Sequence, residues 1–238
     1  MVAFEGAVQM GCRYLETDLR TTRDGVMVAV HDETVDRVTE GSGPVHALTL
    51  AELKRLDAGH RFSPDGGQTF PFRGKGITVP TLAEVTQGFP DICLNLDVKE
   101  NETPMVEALV TFIEEQGAHD RILVGSFHDR TLQEFRRRTG GRVATSAAGW
   151  EARLFWLASR LGLARFLRLA YDALQVPARQ GPVSVVDRRF VQAAHRLDVE
   201  VHVWTVDESE EMRRLLNLGV DGLMSDRPDL LLAALKVG

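Results

Sequence analysis

Short apolar runs alternate with longer amphipathic segments along most of this 238-residue chain, and this alternation limits the possible folds more than any other feature. A short apolar run bounded by turn residues predicts a strand, and apolar residues three or four apart predict a helix. Regular alternation of the two favours repeated strand–helix units and a parallel sheet. The series predicts strands at 13–19, 92–98, 121–126, 142–147, 172–176, 199–206 and 220–225, and helices at 2–11, 103–117, 130–138, 188–197 and 208–218.

Two parts of the chain depart from this series. An Asp-Gly turn at 24–25 predicts a hairpin, so the run 26–31 pairs with the strand before it. Residues 33–90 contain glycine-rich loops and two short helical segments, which we interpret as an insertion over one mouth of the sheet. Since no linker separates these parts, residues 1–238 are expected to form a single domain.

A series of strand–helix units closes as a TIM barrel when it has eight strands. The present series supplies seven, and the chain opens with the helical segment 2–11. We therefore expect a TIM (β/α)8 barrel with a small insertion after the second strand, whose first strand would precede Met1. The barrel is then expected to be open between the strands 13–19 and 220–225.

The composition excludes several classes of protein. Apolar residues make up 44% and charged residues 26% of the chain, as in soluble globular domains. The net charge of −6 argues against nonspecific binding of nucleic acid, and no apolar run is long enough to span a membrane. Cys12 and Cys93 lie in apolar runs, which indicates buried thiols in a reducing compartment. With no visible signal peptide, the expected location is the cytoplasm.

Two carboxylates interrupt the first strand-like run. Glu16 and Asp18 are two residues apart, so both side chains point to the same side of the strand. Such a pair repels unless a cation lies between the two groups, and oxygen ligands suit Mg²⁺ or Ca²⁺ better than Zn²⁺. The spacing alone leaves open the alternative that one of them pairs with Arg13 or Arg20.

Asp97 and Lys99 end another strand with the same spacing. They form either a simple ion pair or a functional pair, in which Asp97 binds a metal and Lys99 binds a phosphate oxygen. His31 ends the hairpin strand, where an imidazole facing carboxylates can act as general acid or base. His128, which follows the strand ending at Ser126-Phe127, is the one further histidine that we retain as a candidate.

Two apolar features have alternative interpretations. Trp204 lies near the end of its strand and is either part of the core or a wall of a substrate pocket. The segment 150–170 combines apolar residues with arginines and predicts one or two basic amphipathic helices. They either pack on the barrel or form a surface that contacts lipid or a lipid-like substrate.

A set of short motifs, in this order along the chain, resembles the glycerophosphodiester phosphodiesterases. The motifs are Glu-x-Asp at 16–18, the Asp-Gly hairpin with His-Asp at 24–32, Leu-Thr-Leu-Ala-Glu-Leu at 48–53, Pro-Thr-Leu-Ala-Glu-Val at 80–85, Leu-Asn-Leu-Asp-Val-Lys at 94–99, Val-Trp-Thr-Val-Asp at 203–207 and Gly-Val-Asp-Gly-Leu-Met-Ser-Asp-Arg-Pro at 219–228. The resemblance implies a TIM barrel with a small insertion after its second strand. It also implies a divalent cation, Mg²⁺ or Ca²⁺, held by Glu16, Asp18 and Asp97, where the family usually has Glu in place of Asp97.

The resemblance further implies that two histidines act as acid and base, and His31 matches one of them. The other belongs to a His-Arg-Gly motif on the first strand, followed by Pro-Glu-Asn-Thr, and neither motif occurs in this chain. The chain is therefore expected to correspond to the family without its first strand, and to hydrolyse its substrate more slowly than a form with that strand.

The expected reaction is hydrolysis of a small-molecule glycerophosphodiester to sn-glycerol 3-phosphate and an alcohol. In it Lys99 would neutralise negative charge in the transition state and Trp204 would contact the substrate. One alternative is a lysophospholipase D on the same barrel, which the apolar segment 150–170 would serve. The other is a fragment without catalytic activity. No glycine-rich nucleotide-binding motif is present, so a nucleotide cofactor is not expected.

Overall fold

Seven parallel strands follow one another around the molecule in a computed structural model, which describes residues 1–101 and 103–236. These strands and three short antiparallel ones are β1 (Tyr14–Thr21), β2 (Met27–Ala29), β3 (Cys93–Val98), β4 (Ile122–Gly125), β5 (Ala144–Thr145), β6 (Ala173–Pro177), β7 (Arg179–Gln180), β8 (Val183–Ser184), β9 (Glu200–Trp204) and β10 (Gly222–Leu223). The helices are α1 (Val2–Met10), α2 (Leu50–Leu53), α3 (Leu82–Gly88), α4 (Thr103–Gln116), α5 (Asp129–Thr139), α6 (Gly149–Leu161), α7 (Arg188–His195), α8 (Ser209–Leu218) and α9 (Pro228–Leu235). The last two residues of the expected 1–238 domain lie outside the described part.

The order of the parallel strands is that of a barrel built from strand–helix units. β1, β3, β4 and β5 pair in sequence, and so do β6, β9 and β10. A parallel bridge between Ser146 and Ala173 connects the two groups. A helix follows each of these strands from β3 onward, as the alternation in the sequence predicts.

The ring of strands is open on one side. β10 pairs with β9, and the last residues of β1 pair with the hairpin strand β2. Within 1–101 and 103–236, no strand pairing joins β10 to β1. The opening therefore lies where the sequence predicts it. Outside the opening the helices meet, since α1 contacts α9.

Strand alternation decides which side chains enter the barrel. In β3, Leu94, Leu96 and Val98 are buried under the surrounding helices. Asn95 and Asp97, which alternate with them, point to the other side, towards the barrel axis. The polar residues that interrupt the apolar pattern of β3 are therefore those that face the interior, where a site can form.

The segment between β2 and α3 packs around a small core of its own. Its buried members are Val35, Val45, Leu53 and Val79, together with two residues of the hairpin strand. The Thr-Leu-Ala-Glu motifs begin α2 and α3 as capping boxes. In α3, Thr81 Oγ1 accepts from the Glu84 N–H (3.0 Å), and the Glu84 carboxylate accepts from the Thr81 N–H (2.7 Å). Because α3 itself packs with the barrel core, the separate packing ends near residue 80.

Several local predictions need correction. α9 and the β7–β8 hairpin are absent from the sequence-based prediction, although Pro228 at the first helical position is a typical start signal. The helix predicted in the segment 150–170 is present as α6, and a 3-10 turn follows it at 164–166. Cys12 and Cys93 are free but only half-buried.

None of the helices in the described part of the chain has the length and apolar content that a membrane crossing requires.

Candidate active site

The pairing of β1 with β3 brings the acidic residues of both strands together. In this parallel register Asp18 lies opposite Asp97, and Glu16 lies opposite Asn95. The residues that alternate with them, Leu15 and Leu19, are buried on the helix side. The acids therefore share the inner face, and Asp18 and Asp97 lie towards the C-terminal ends of their strands. In barrels of this type that end carries the active site.

Lys99 lies between the two aspartates. Its Nζ is 2.7 Å from Asp18 Oδ1 and 2.6 Å from Asp97 Oδ2. All three side chains are less than one fifth exposed. Burial acts to lower the pKa of Lys99, but the hydrogen bonds to both aspartates outweigh it, and the pKa is raised. The ammonium group is therefore charged and links the two strands.

Glu16 lies on the same face of β1, two residues nearer the start of the strand, and is partly exposed; it adds a further carboxyl group to the cluster. Partial desolvation inside the barrel raises the pKa of Glu16 to about 7, and the charges of Asp18, Asp97 and Asp226 add to the effect, while Lys99 opposes it. Three acidic side chains and one ammonium group thus act on the Glu16 carboxyl. The cluster therefore holds more carboxyl groups than positive charges.

The carboxylates have the right chemistry for a hard divalent cation, because all of their donors are oxygens. As the side chains stand, however, the described residues hold no group of three potential ligands close enough to bind a metal ion. Lys99 occupies the position between Asp18 and Asp97. Each aspartate keeps one oxygen that Lys99 does not engage, and joint binding of one ion by three carboxylates requires their side chains to move closer together.

His31 lies beside this cluster on the hairpin. The Val30 N–H donates to the Asp18 carbonyl (3.0 Å), and Arg20 Nε donates to the His31 carbonyl (3.1 Å). The imidazole itself is two-thirds exposed, and its Nδ1 is 2.7 Å from Asp32 Oδ1. The structure therefore places His31 at the mouth next to the acids, with its side chain directed to Asp32.

Arg37 completes a chain of three residues. Its guanidinium contacts both oxygens of Asp32, through Nε and through Nη2 (3.1 Å). Chiefly because of this contact, and with a smaller contribution from His31, the pKa of Asp32 falls from 3.8 to about 2. Asp32 is therefore ionised at neutral pH and can only accept. It follows that Nδ1 of His31 carries the hydrogen in this contact and that Nε2 is left for another partner.

Arg37→Met is expected to destabilise the protein at pH 7 by about 1 kcal/mol, a value reduced for partial exposure. A carboxylate whose pKa is lowered by folding adds stability above its unfolded pKa near 4, and this stability is lost as the pH falls through 2. Urea unfolding of the variant and the wild type at pH 7 and at pH 2 measures the difference. Arg55→Met, an exposed arginine of the same segment, is the control. An equal loss of unfolding free energy at both pH values would show that Arg37 does not stabilise the protein through the Asp32 carboxylate.

A cavity of about 200 Å³ opens beside these residues. His31, Asp32 and Arg37 line one part of it, and Ala58, Val79 and Pro80 line the other. It lies between the hairpin and the small packed segment that follows it. A bound molecule here would contact the imidazole.

An aromatic wall stands on the opposite side of the mouth. The ring of Phe127 meets that of Trp204 edge to face, with 5.8 Å between centroids, and Lys99 Nζ is also 5.8 Å from the Phe127 centroid. Ser126 Oγ donates to the Val98 carbonyl (2.7 Å), which fixes the turn after β4 against the end of β3. His128 Nε2 lies 3.2 Å from the Lys99 carbonyl, so His128 belongs to the same mouth.

A row of polar side chains in contact with one another crosses the barrel interior beneath Asp18 and Asp97. Gln175 Nε2 donates to Asn95 Oδ1 (3.1 Å) and lies 3.4 Å from Nδ1 of His202. His202 Nε2 is 2.9 Å from a carboxylate oxygen of Glu200. A side chain at Gly125 would approach Gln175 to about 3.0 Å, so glycine keeps this layer open. These polar side chains form the floor of the candidate site.

The structure brings Asp18, Asp97 and Lys99 into direct contact, with Glu16 below them and His31 beside them. Trp204 lies across the mouth from the hairpin. The partner of Asp18 is Lys99, and not Arg13 or Arg20, which the spacing had left open. Sequence reasoning missed Arg37, Phe127 and Gln175. A signal exists only for Phe127, which directly precedes the retained candidate His128 at the end of a predicted strand.

Known proteins resemble this chain over nearly its whole length. The pattern of the Glycerophosphoryl diester phosphodiesterase family matches residues 1–230. A Mycobacterium tuberculosis protein named "Probable glycerophosphodiester phosphodiesterase 2" is 37% identical over 235 residues, which is 97% of this chain and 82% of that protein. A glycerophosphodiester phosphodiesterase of Caldanaerobacter subterraneus is 30% identical over 243 residues, with 100% of this chain and 92% of that protein covered.

Solved structures confirm the fold. The glycerophosphoryl diester phosphodiesterase domain of a Mycobacterium tuberculosis protein matches with a TM-score of 0.84 at 22% identity, over 100% of this chain and 92% of that one. A phosphodiesterase from Oleispira antarctica, solved with its product sn-glycerol-3-phosphate, matches with a TM-score of 0.76 at 24% identity, over 99% and 89%. The fold is the TIM barrel, and the chain belongs to the glycerophosphoryl diester phosphodiesterase family.

Proposed function

We propose that this protein hydrolyses glycerophosphodiesters to sn-glycerol 3-phosphate and an alcohol. The observation that carries the proposal is the Asp18–Lys99–Asp97 cluster at the C-terminal ends of two barrel strands, in a member of this family. The relatives named as glycerophosphodiester phosphodiesterases support the substrate class. The product sn-glycerol-3-phosphate bound by the Oleispira phosphodiesterase agrees with it.

Glu16, Asp18 and Asp97 are the residues that would hold a divalent cation, Mg²⁺ or Ca²⁺. The excess of carboxylates over positive charge supports this part of the proposal, and so does the raised pKa of Glu16, which a nearby cation would lower again. When bound, such an ion polarises a phosphate oxygen and stabilises the charge that develops on it.

Lys99 would bind the substrate phosphate. Its three N–H donors exceed the two that the aspartates accept, so one remains for a phosphate oxygen. An ammonium held by two carboxylates is fixed in position before the substrate arrives. Such a preorganised charge stabilises a transition state more than a mobile one does.

His31 would transfer the proton. In hydrolysis water attacks phosphorus, the bond to the leaving alcohol oxygen breaks, water loses a proton and the alcohol oxygen gains one. Asp32 holds Nδ1 of His31 and so leaves Nε2 available for one of these two transfers. His128, on the other side of Lys99, is the candidate for the second transfer.

His31→Ala is expected to lower the rate of hydrolysis by about 10²- to 10⁴-fold, the usual contribution of a positioned acid or base. The imidazole is exposed, so the variant should keep its fold and its melting temperature. Initial rates on glycerophosphocholine measure the effect. His46→Ala, an exposed histidine away from the mouth, should retain the full rate. A His31→Ala rate within threefold of wild type would remove His31 from the mechanism.

Trp204 and Phe127 would contact the alcohol part of the substrate. Their rings form an apolar wall beside Lys99, on the side of the mouth opposite to His31. Such a wall accepts alcohols of different structure, because it offers surface and no directed hydrogen bonds.

The proposed activity is tested by incubating the purified chain with glycerophosphocholine and Mg²⁺ or Ca²⁺, and by measuring sn-glycerol 3-phosphate with its dehydrogenase. Release that depends on the cation and stops on chelation is expected. Folded protein that releases none with either cation would overturn the proposal and favour the catalytically inactive alternative.

A lysophospholipase D activity on the same barrel is a second candidate. It is favoured by the exposed apolar side chains of α6 and the following turn, close to the Phe127 wall. Comparison of the rates on lysophosphatidylcholine and glycerophosphocholine separates the two activities, since only the former substrate has an acyl chain for these side chains to bind.

A further inference from the structure

Apolar side chains along one face of α6 are left exposed. Trp150, Leu154, Leu157 and Leu161 follow one another at intervals of four, three and four residues, so they form a single row on the helix surface. Leu163 and Phe166 extend this row beyond the helix. All six side chains, which we call the α6 stripe, are between 41% and 66% exposed.

The α6 stripe is not needed to attach the helix to the barrel. The adjacent face of α6 already does so through Phe155 and Ala158, which are buried in the core. Phe155 meets Phe190 of α7 edge to face, with 5.5 Å between centroids. An amphipathic helix normally exposes polar residues on its outer face, so an apolar outer face indicates a binding surface.

The surroundings of the α6 stripe are basic, although the whole chain has a net charge of −6. Residues 149–170 contain four arginines and one glutamate. The glutamate, Glu151, is neutralised by Arg136 (2.8 Å), and Arg160 is paired with Asp187. The other three arginines are exposed, and no acidic partner lies within 4 Å of them in the described ranges 1–101 and 103–236; they are Arg153, Arg165 and Arg168.

The α6 stripe begins at the mouth of the candidate active site. A Cβ at Gly149 would lie 3.4 Å from the Phe127 carbonyl oxygen, and the Trp150 N–H donates to Asp129 Oδ1 (3.4 Å). Phe127 in turn packs against Trp204 at the mouth. A partner that covers the α6 stripe would therefore lie next to the opening of the barrel.

We propose that the α6 stripe and its three arginines dock the protein on an anionic phospholipid surface, with the mouth of the barrel beside the bilayer. Leucine and aromatic side chains can enter the region below the headgroups, while neighbouring arginines bind anionic headgroups. A second copy of the chain fits this surface less well. Two copies that met through it would bring the same three arginines together, since such an interface is self-complementary.

The test uses the whole chain and sedimentation with vesicles of phosphatidylcholine alone or with 30% phosphatidylglycerol. Strong binding is expected only with phosphatidylglycerol. Arg153→Glu/Arg165→Glu/Arg168→Glu should weaken it by more than about 100-fold, because each basic residue contributes roughly fivefold near an anionic membrane. Arg13→Glu/Arg55→Glu/Arg213→Glu makes the same change of net charge at exposed positions elsewhere and should weaken binding far less.

A second pair of variants tests the apolar part. Leu157→Ser/Leu161→Ser should weaken binding by about tenfold or more, through loss of buried apolar area. Phe62→Ser/Met10→Ser, at exposed positions outside the stripe, should not. Melting curves confirm that each variant is folded.

Three results would overturn the proposal: no sedimentation of the wild type with phosphatidylglycerol, an equal effect of both arginine triples, or unchanged binding of the leucine variant. Self-association that Leu157→Ser/Leu161→Ser abolishes, without vesicle binding, would identify a second copy as the partner. Since vesicle binding is measured without substrate, its outcome does not depend on the proposed hydrolysis.

Discussion

Lys99→Met is expected to lower the rate of glycerophosphodiester hydrolysis by about 10²- to 10³-fold, the usual effect of removing one preorganised charge that stabilises a transition state. The substitution keeps the length and apolar stem of the side chain. It removes the ammonium that Asp18 and Asp97 hold at 2.7 and 2.6 Å. The loss should appear mainly in kcat, because the charge acts on the transition state.

The same substitution leaves the carboxylates of Asp18 and Asp97 without a cation in a mostly buried site, so it should also lower stability. Removing one partner of a buried ion pair costs about 3–5 kcal/mol, and less where solvent reaches the pair. Rates are therefore compared at a temperature where melting curves show both proteins folded. Lys54→Met is the matched control, since Lys54 is similarly buried and pairs with Glu84 (2.5 Å) away from the mouth. Equal activity losses in the two variants would show that Lys99 acts only through stability.

Asp97→Asn is expected to weaken binding of Mg²⁺ or Ca²⁺ by more than about 100-fold, since substitution of residues behind the ligands alone weakens metal binding 10- to 100-fold. The amide keeps the shape of the side chain but removes the charge that a divalent cation needs. Isothermal titration calorimetry measures the effect. Glu16→Gln, which lacks the third carboxylate, should show the same loss.

Asp91→Asn is the control for this experiment. Asp91 is exposed and precedes β3, so it lies at the end of the strand away from Asp97. Its loss changes the net charge by the same amount but should leave the affinity unchanged. Cation binding that survives in both Asp97→Asn and Glu16→Gln would place the ion elsewhere.

Much of the barrel follows from the sequence because its strands and helices have different apolar periods. The strands at 92–98 and 199–206 and the helices at 103–117 and 208–218 occur within a few residues of their predicted positions. The apolar pattern could not define the bounds of the shortest strands. β5 and β10 have two residues each, so pairing with their neighbours, and not their own pattern, defines them.

Site residues could be predicted where a charged side chain interrupts the apolar pattern of a strand. Asp18 and Asp97 stand out because an acid in a buried strand needs a partner. Their mutual position depends on the register of β1 against β3, and two-residue spacing cannot determine it. For this reason the sequence left ion pairs with Arg13 or Arg20 open, whereas the structure assigns Lys99 to both aspartates.

The position of Arg37 beside Asp32 could not be predicted from the sequence. It lies in an irregular segment without a period, and only folding brings it to Asp32. Gln175 is similar, because a single polar residue in the strand 172–176 has no distinctive spacing. Its role in the barrel floor depends on contacts with Asn95 and His202, which come from distant strands.

We propose that Glu16, Asp18 and Asp97 form one cation site beside Lys99. A crystal structure of the protein soaked with Mn²⁺, a hard cation with an anomalous signal, tests it most directly. One anomalous peak within about 2.5 Å of oxygens from all three carboxylates is expected, the usual range for hard cations. A peak elsewhere, with the three carboxylates unoccupied at saturating Mn²⁺, would contradict this assignment.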